Sequence, residues 1–177
     1  TGVLLSIGEN DGYTFSNALA LIDRGWAAVL VEPSPTAFKK LEELHGANPN
    51  VKLHNVAIST SKGEAKYYDM GNHVDDTDTS LLSTLVPGEL ERWKDVEFKE
   101  TKVKTVPYSE IENVYDFITI DAEGLDYDIL KQINLEHVQM ICLEWNLSEA
   151  TLALFRSYVP VEMKEILRNA ENVIYAR

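Results

Sequence analysis

An α/β fold with a mostly parallel sheet, covered by helices on both faces, is the architecture the sequence predicts, and three observations predict it. Val3–Ile7, Ala27–Val31, Phe117–Ile120 and Met140–Leu143 are short apolar runs, the pattern of strands buried on both faces. Segments with apolar residues at helical spacing lie between them, giving the strand–helix alternation of such folds. The apolar runs end in glycine or acidic residues, namely Gly8, Glu32, Asp121 and Glu144. That end of the strands is where open α/β sheets bind their ligands.

Taken in order, Val3–Ile7 is the first strand and Gly8-Glu9-Asn10-Asp11-Gly12 its exit turn. Phe15, Ala18, Leu19 and Ile22 are spaced as the inner face of a helix, which Gly25 stops. Ala27–Val31 is the second strand, ended by Glu32-Pro33. Ser34 caps the next helix with Pro35 at its first position. Phe38, Leu41 and Leu44 form its inner face, and His45 at its end is expected to be exposed. Val51-Lys52-Leu53 leads into Asn55-Val56-Ala57, a third strand and its exit.

The middle of the chain is less regular. Glu64 to Met70 reads as a strand or hairpin arm, and residues 71–80 as a polar loop without periodicity. Pro87-Gly88 interrupts Leu81 to Lys94, whose state is ambiguous. Phe98 to Val106 alternates like an extended segment. The core pattern then resumes. Phe117–Ile120 is a strand ending at Asp121, and Leu125 to Ile133 is a helix. Met140–Leu143 is a strand ending at Glu144, and Ser148 caps a helix running to Arg156. Met163 to Arg168 and Val173 to Ala176 flank Asn169–Asn172 as a hairpin.

Composition bounds the function. A chain of 177 residues with 45% hydrophobic and 25% charged residues fits one ordinary globular domain. One cysteine, Cys142, excludes a disulfide scaffold. A net charge of -13 disfavours gripping a phosphate backbone or an anionic membrane surface. No apolar run reaches the length of a membrane span. The N-terminus lacks the basic region of a signal peptide. The expected setting is the cytoplasm.

The polar groups at the strand ends supply the chemistry. The Gly8 turn lets a ligand approach backbone N–H groups at a helix start. It is not the dinucleotide fingerprint, because Tyr13 stands near the place of the third glycine. Glu32, 20 residues beyond Gly12, can accept hydrogen bonds from two ribose hydroxyls and would repel a 2′-phosphate. Asp121 and Glu123 can share a proton, bind a metal or cap the following helix. Two carboxylates are too few ligands to predict a metal, and none is expected. His45, His54, His73 and His137 are not spaced for zinc. His73, in the polar loop, is either a general base or a solvated histidine. Cys142, inside an apolar strand, reads as an inert core thiol. There is no nucleophile elbow and no Walker lysine turn.

These motifs together resemble a known family. The turn from Leu5 to Gly12 is similar to the first motif of S-adenosylmethionine-dependent methyltransferases, and Val31-Glu32-Pro33-Ser34-Pro35 to their second-strand acid. Asn55-Val56-Ala57-Ile58-Ser59, the stretch Phe117 to Gly124, Leu143 to Asn146 and the closing Glu171 to Arg177 resemble more specifically the FkbM-type methyltransferases. The resemblance implies a Rossmann-like class I methyltransferase fold, with a seven-stranded sheet and an antiparallel final hairpin. It implies S-adenosyl-L-methionine as cofactor and methyl transfer to a hydroxyl, often on a sugar, glycan or other small molecule. By position, Gly8, Asn10 and Gly12, with Asp11 and Tyr13 in the same turn, would hold the amino-acid part of the cofactor. Glu32 and Pro33 would meet the ribose, and Asn55, Val56 and Ala57 the adenine. Asp121 would lie beside the methyl donor with Glu123 near it.

Two departures from the pattern carry expectations. The family has helical segments before its first strand, so residues 1–177 are expected to be one domain without that covering. Glu9 stands where a small residue is usual, and it should oppose the cofactor's carboxylate unless it points away. The candidate bases are Asp121, Glu123 and His73, in that order. Two alternatives remain from the sequence: a non-catalytic module that binds the nucleoside cofactor, and a nicotinamide-dependent oxidoreductase on a related sheet.

Overall fold

The structure, a computed structural model, describes residues 1–69, 83–93 and 98–177. His73 and the polar loop at 71–80 lie outside the described residues, as does part of the stretch from Leu81 to Lys94. In chain order the elements are β1 (Val3–Ile7), α1 (Leu19–Ile22), β2 (Ala27–Val31), α2 (Pro35–His45) and β3 (Val51–His54). Then come β4 (Ala57–Ile58), β5 (Gly63–Asp69), a 3-10 helix (Pro87–Trp93) and β6 (Lys99–Val106). A second 3-10 turn (Tyr108–Glu110) leads to β7 (Phe117–Ile120), α3 (Asp126–Leu130), β8 (Met140–Glu144), α4 (Glu149–Tyr158), β9 (Lys164–Arg168) and β10 (Asn172–Ala176).

A seven-stranded sheet runs β3-β2-β1-β7-β8-β10-β9. Its first five strands are parallel, and β10 pairs antiparallel with both β8 and β9. Strand alternation splits the core into two layers. Leu5, Ile7, Ile118, Ile120, Ile141 and Leu143 face one side, with Ile129 and Leu130 of α3 and Leu152 and Phe155 of α4. Leu4, Leu30, Phe117 and Cys142 face the other, with Ile22 of α1 and Leu41 of α2. The apolar runs are thus explained: every strand position of β7 is buried. Cys142 is a core thiol pushed up to about 11 by burial, the inert state expected of it. Among the described residues no helix is long and apolar enough to cross a membrane.

The chain order reverses at β1, which has β2 on one side and β7 on the other. A crevice therefore opens beyond the carboxyl ends of β1 and β7. A second sheet, β4-β6-β5, sits over it. β4 is parallel to β6, and β5 antiparallel to it. The sequence shows β5 and β6 as extended segments without showing that they form a separate sheet with Ala57–Ile58.

Three local expectations need correction. The first helix is one turn, Leu19–Ile22, and Phe15 is 84% exposed with φ 53°. The Asp11 carboxylate takes the N–H groups of Tyr13 and Thr14, and the Ser16 hydroxyl those of Ala18 and Leu19. Helix therefore starts only after Ser16. The helix expected over Leu125 to Ile133 ends at Leu130, because Gln132 and Ile133 donate to carbonyls three residues back in tighter turns. His45 is buried, not exposed. It completes an inner stripe with Ala37 and Leu41, while Leu44 faces outward.

Candidate active site

The floor of the crevice is the Gly8 turn. Gly8 has φ +82°, and a Cβ there would lie 1.7 Å from the Asp121 carbonyl oxygen. Only glycine lets the exits of β1 and β7 come this close. Asn10 follows in the left-handed region at φ 55°, which asparagine tolerates. Its side chain is buried, with neither amide atom hydrogen-bonded.

Glu32 ends β2 and is buried at 4% exposure. One carboxylate oxygen accepts the Asn10 N–H at 2.8 Å and the other the Ser34 N–H at 2.7 Å. Burial pushes Glu32 up to about 8 against the pull of these two bonds, with the charges of Asp69 and Glu9 adding to the rise. Asn55 braces the same corner, its side-chain amide donating to the carbonyls of Glu32 and Pro33.

A cleft lies over this floor. Gly8, Asn10, Glu32 and Pro33 line its base, and Val56, Ala57 and Ile58 one wall. Tyr67 and Leu85 come from the second sheet and the segment beside it. Asp121, Ala122 and Glu123 close the far side. Two bonds hold the second sheet here: the Ser34 hydroxyl to Asp69 at 3.0 Å, and the Thr84 hydroxyl to the Glu123 carbonyl at 2.8 Å.

At that far side three carboxyl groups converge. Asp121, Glu123 and Glu144 each bring an oxygen within 4.8 Å of the others, close enough to ligate one cation. Parallel pairing of β7 with β8 produces this, since each strand ends in an acid. Burial first, then the charges of Asp121, Glu123 and Asp126, push Glu144 up to about 11, so it holds a proton. Burial also raises Asp121, to about 6, while hydrogen bonding to Glu144 restrains it. Asp126 is raised to about 7 by burial and by Asp121, although it accepts the N–H groups of Ala122 and Gly124. A second, open cleft of about 1020 Å³ adjoins Glu144 and is bounded by Asp126, Tyr127, Trp145 and Asn146.

The structure brings Gly8, Asn10, Glu32, Pro33, Val56, Ala57, Asp121 and Glu123 to one cleft. It places other sequence-selected residues beside it. Gly12 packs on Leu41 and His45, where a Cβ would be 2.6 and 3.0 Å away. Asp11 organises the turn, Tyr13 is 71% exposed, and Asn55 supports Glu32 from outside. Glu144 and Asp126 were not among the selected residues. Glu144 was within reach, since adjacent parallel strands ending in Asp121 and Glu144 must juxtapose two acids. Tyr67, Thr84 and Leu85 come from segments with no readable period.

The methyltransferase FkbM domain model matches residues 6–172. The fold is similar to the ribosomal protein L11 methylase from Lactobacillus delbrueckii subsp. bulgaricus, with a TM-score of 0.53 at 10% identity over 99% of this chain and 68% of that one. It is also similar to Aeropyrum pernix fibrillarin in complex with natively bound S-adenosyl-L-methionine, with a TM-score of 0.52 at 10% identity over 99% of this chain and 66% of that one. The chain thus spans about two thirds of the length of these two structures. Their likeness shows the Rossmann-like class I fold. A search of curated proteins finds no match. With the family model spanning nearly its whole length, the chain belongs to the FkbM methyltransferase family and takes S-adenosyl-L-methionine as its cofactor.

Proposed function

We propose that this protein, acting as one methyltransferase domain, methylates a hydroxyl on a sugar, glycan or other uncharged small molecule, with Asp121 as general base. The observation that carries the reading is the carboxyl cluster of Asp121, Glu123 and Glu144 at the border of two clefts.

The residues of the smaller cleft fit the cofactor on three counts. Asn10 presents a buried amide with both polar atoms unbonded, and such groups need a partner. Glu32 spends one lone pair of each oxygen on backbone N–H groups. A carboxylate has about four such sites, so two are left for two ribose hydroxyls. Val56 and Ala57 offer the apolar wall an adenine requires. When bound, S-adenosyl-L-methionine supplies a methyl group activated by a sulfonium.

Asp121 would take the acceptor's proton. Burial raises it above the usual carboxylate range, while protonated Glu144 beside it spares the site a second negative charge. Glu123 is the next candidate base, and His73 lies outside the described residues. The acidic border of the larger cleft, with Asp126, Asp128 and Glu144, favours an uncharged or cationic acceptor over nucleic acid.

The test is transfer of labelled methyl to a panel of glycosides, polyols and amines, with Asp121→Asn as the control variant. Labelled oxygen, with turnover lowered about 10²–10⁴-fold in the variant, supports the reading. Label on nitrogen alone, or an unimpaired variant, overturns it.

A further inference from the structure

Glu9 brings a carboxyl group to the turn expected to meet a cofactor carboxylate, yet it does not point away from the site. Its side chain is 4% exposed, and its two carboxylate oxygens are taken by the hydroxyls of Ser6 and Ser16. It lies at a small cleft that shares Gly8, Asn10 and Asp121 with the main one. Thr14, Phe15, Asn17 and Thr119 also line it, and among the described residues no Lys, Arg or His does. The unbonded Asn10 amide belongs to both clefts. A ligand that fills the main cleft and passes Asn10 therefore enters a pocket with buried carboxyl groups and no cation.

We infer that Glu9 anchors the primary ammonium group at the amino-acid end of the cofactor, held in place by Ser6 and Ser16. This rests on reading the main cleft as the cofactor's nucleoside site. The electrostatics agree with the geometry. Burial raises Glu9 to about 7, restrained by Ser16 and Ser6 and aided by the charges of Asp11 and Asp121. A carboxyl group in this state lacks a countercharge, and an ammonium supplies it. On binding, Glu9 ionises fully and gives its proton to solvent.

The test is calorimetric titration of wild type and Glu9→Gln with two probes at neutral pH. S-adenosylhomocysteine carries the ammonium, and 5′-methylthioadenosine keeps the nucleoside thioether without the amino-acid end. Glutamine preserves the shape, so the variant should lose about 30-fold or more in affinity for the first probe and none for the second. Repeating the wild-type titration in buffers of different ionisation enthalpy should show proton release with the first probe, absent in the variant. An unchanged affinity for S-adenosylhomocysteine, or an equal loss for both probes, overturns the assignment. If wild type binds neither probe, the nucleoside-site reading itself fails. N-acetylated S-adenosylhomocysteine tests the inference without any variant: it should bind wild type about as weakly as the unmodified probe binds Glu9→Gln.

Discussion

The Glu32 carboxylate accepts the backbone N–H of Asn10 at 2.8 Å, tying the end of β2 to the turn after β1. A sequence separation of 22 residues becomes one corner of the site. Glu32 therefore both shapes the turn and offers its remaining lone pairs to a ligand. In Glu32→Gln one acceptor oxygen becomes an NH2 donor, so one backbone N–H loses its acceptor and the proposed ribose contacts weaken. Affinity for S-adenosylhomocysteine should fall about 10–100-fold, since a buried donor left without a partner costs roughly 1–3 kcal/mol. Isothermal calorimetry checks this, and an unchanged affinity removes Glu32 from the ribose site.

The same burial makes stability fall with pH. Glu32, Glu9 and Asp126 are raised to about 8, 7 and 7, above the values near 4 of an unfolded chain. Between those limits the folded protein holds protons that the unfolded chain has released, so rising pH favours unfolding. The stabilisation is complete below about 4 and gone above the folded values. The ligand-free melting temperature should decline from pH 5 to pH 8.5, less steeply in Glu32→Gln. A melting temperature that climbs over this range contradicts the assignment.

Turnover should have its own acid limb. With cofactor saturating, kcat should drop as pH falls through about 6, where Asp121 takes up a proton. Coupling to Glu144 makes this an apparent value of the pair. Glu144→Gln removes the proton that Glu144 shares, so the limb should move in that variant. A limb unmoved by it assigns the titration to another group.

Gly8→Ala should be among the most damaging small substitutions. Its Cβ would lie 1.7 Å from the Asp121 carbonyl oxygen, at a φ of +82°. Strain of this kind costs about 1–3 kcal/mol before any clash, so a loss of at least about 3 kcal/mol is expected from urea unfolding. Gly25→Ala is the comparison. Gly25 also has positive φ, but nothing lies within 4 Å of its Cβ position, so only the conformational cost applies.

Chelation should leave methyl transfer intact. Asp121, Glu123 and Glu144 converge closely enough for a cation, but three oxygens fall short of the six to eight that calcium takes. Assays after dialysis against EDTA, with and without added magnesium or manganese, check this. Activity lost on dialysis and restored by metal would make the trio a metal centre.

Much of this was legible in the sequence because the physics is local. Short apolar runs marked four of the five parallel strands, and Ser34-Pro35 and Ser148 marked two helix starts that the structure retains. Gly8, Glu32 and Asp121 stood out because strand ends are where ligands bind. What escaped depended on long-range pairing. The union of Ala57–Ile58 with β6, 48 positions away, leaves no periodic trace. His45 looked exposed at a helix end, and only the packing of Gly12 against it buries it. Glu9 looked like a misfit because its partners, the Ser6 and Ser16 hydroxyls, cannot be paired with it by spacing alone.

The position of the second sheet gives a ligand one more role. Val56 to Ile58, Tyr67 and Leu85 form the side of the cleft that faces Gly8 and Asn10. Of the contacts across that gap, the hydroxyl bridges Ser34–Asp69 and Thr84–Glu123 are the polar ones described above. A molecule in the cleft touches both halves and works as a keystone. Its binding energy is added to the joint in proportion to saturation. Hydrogen exchange along β4 and β6 should therefore slow more on addition of S-adenosylhomocysteine than exchange along β9, which lies at the far edge of the main sheet.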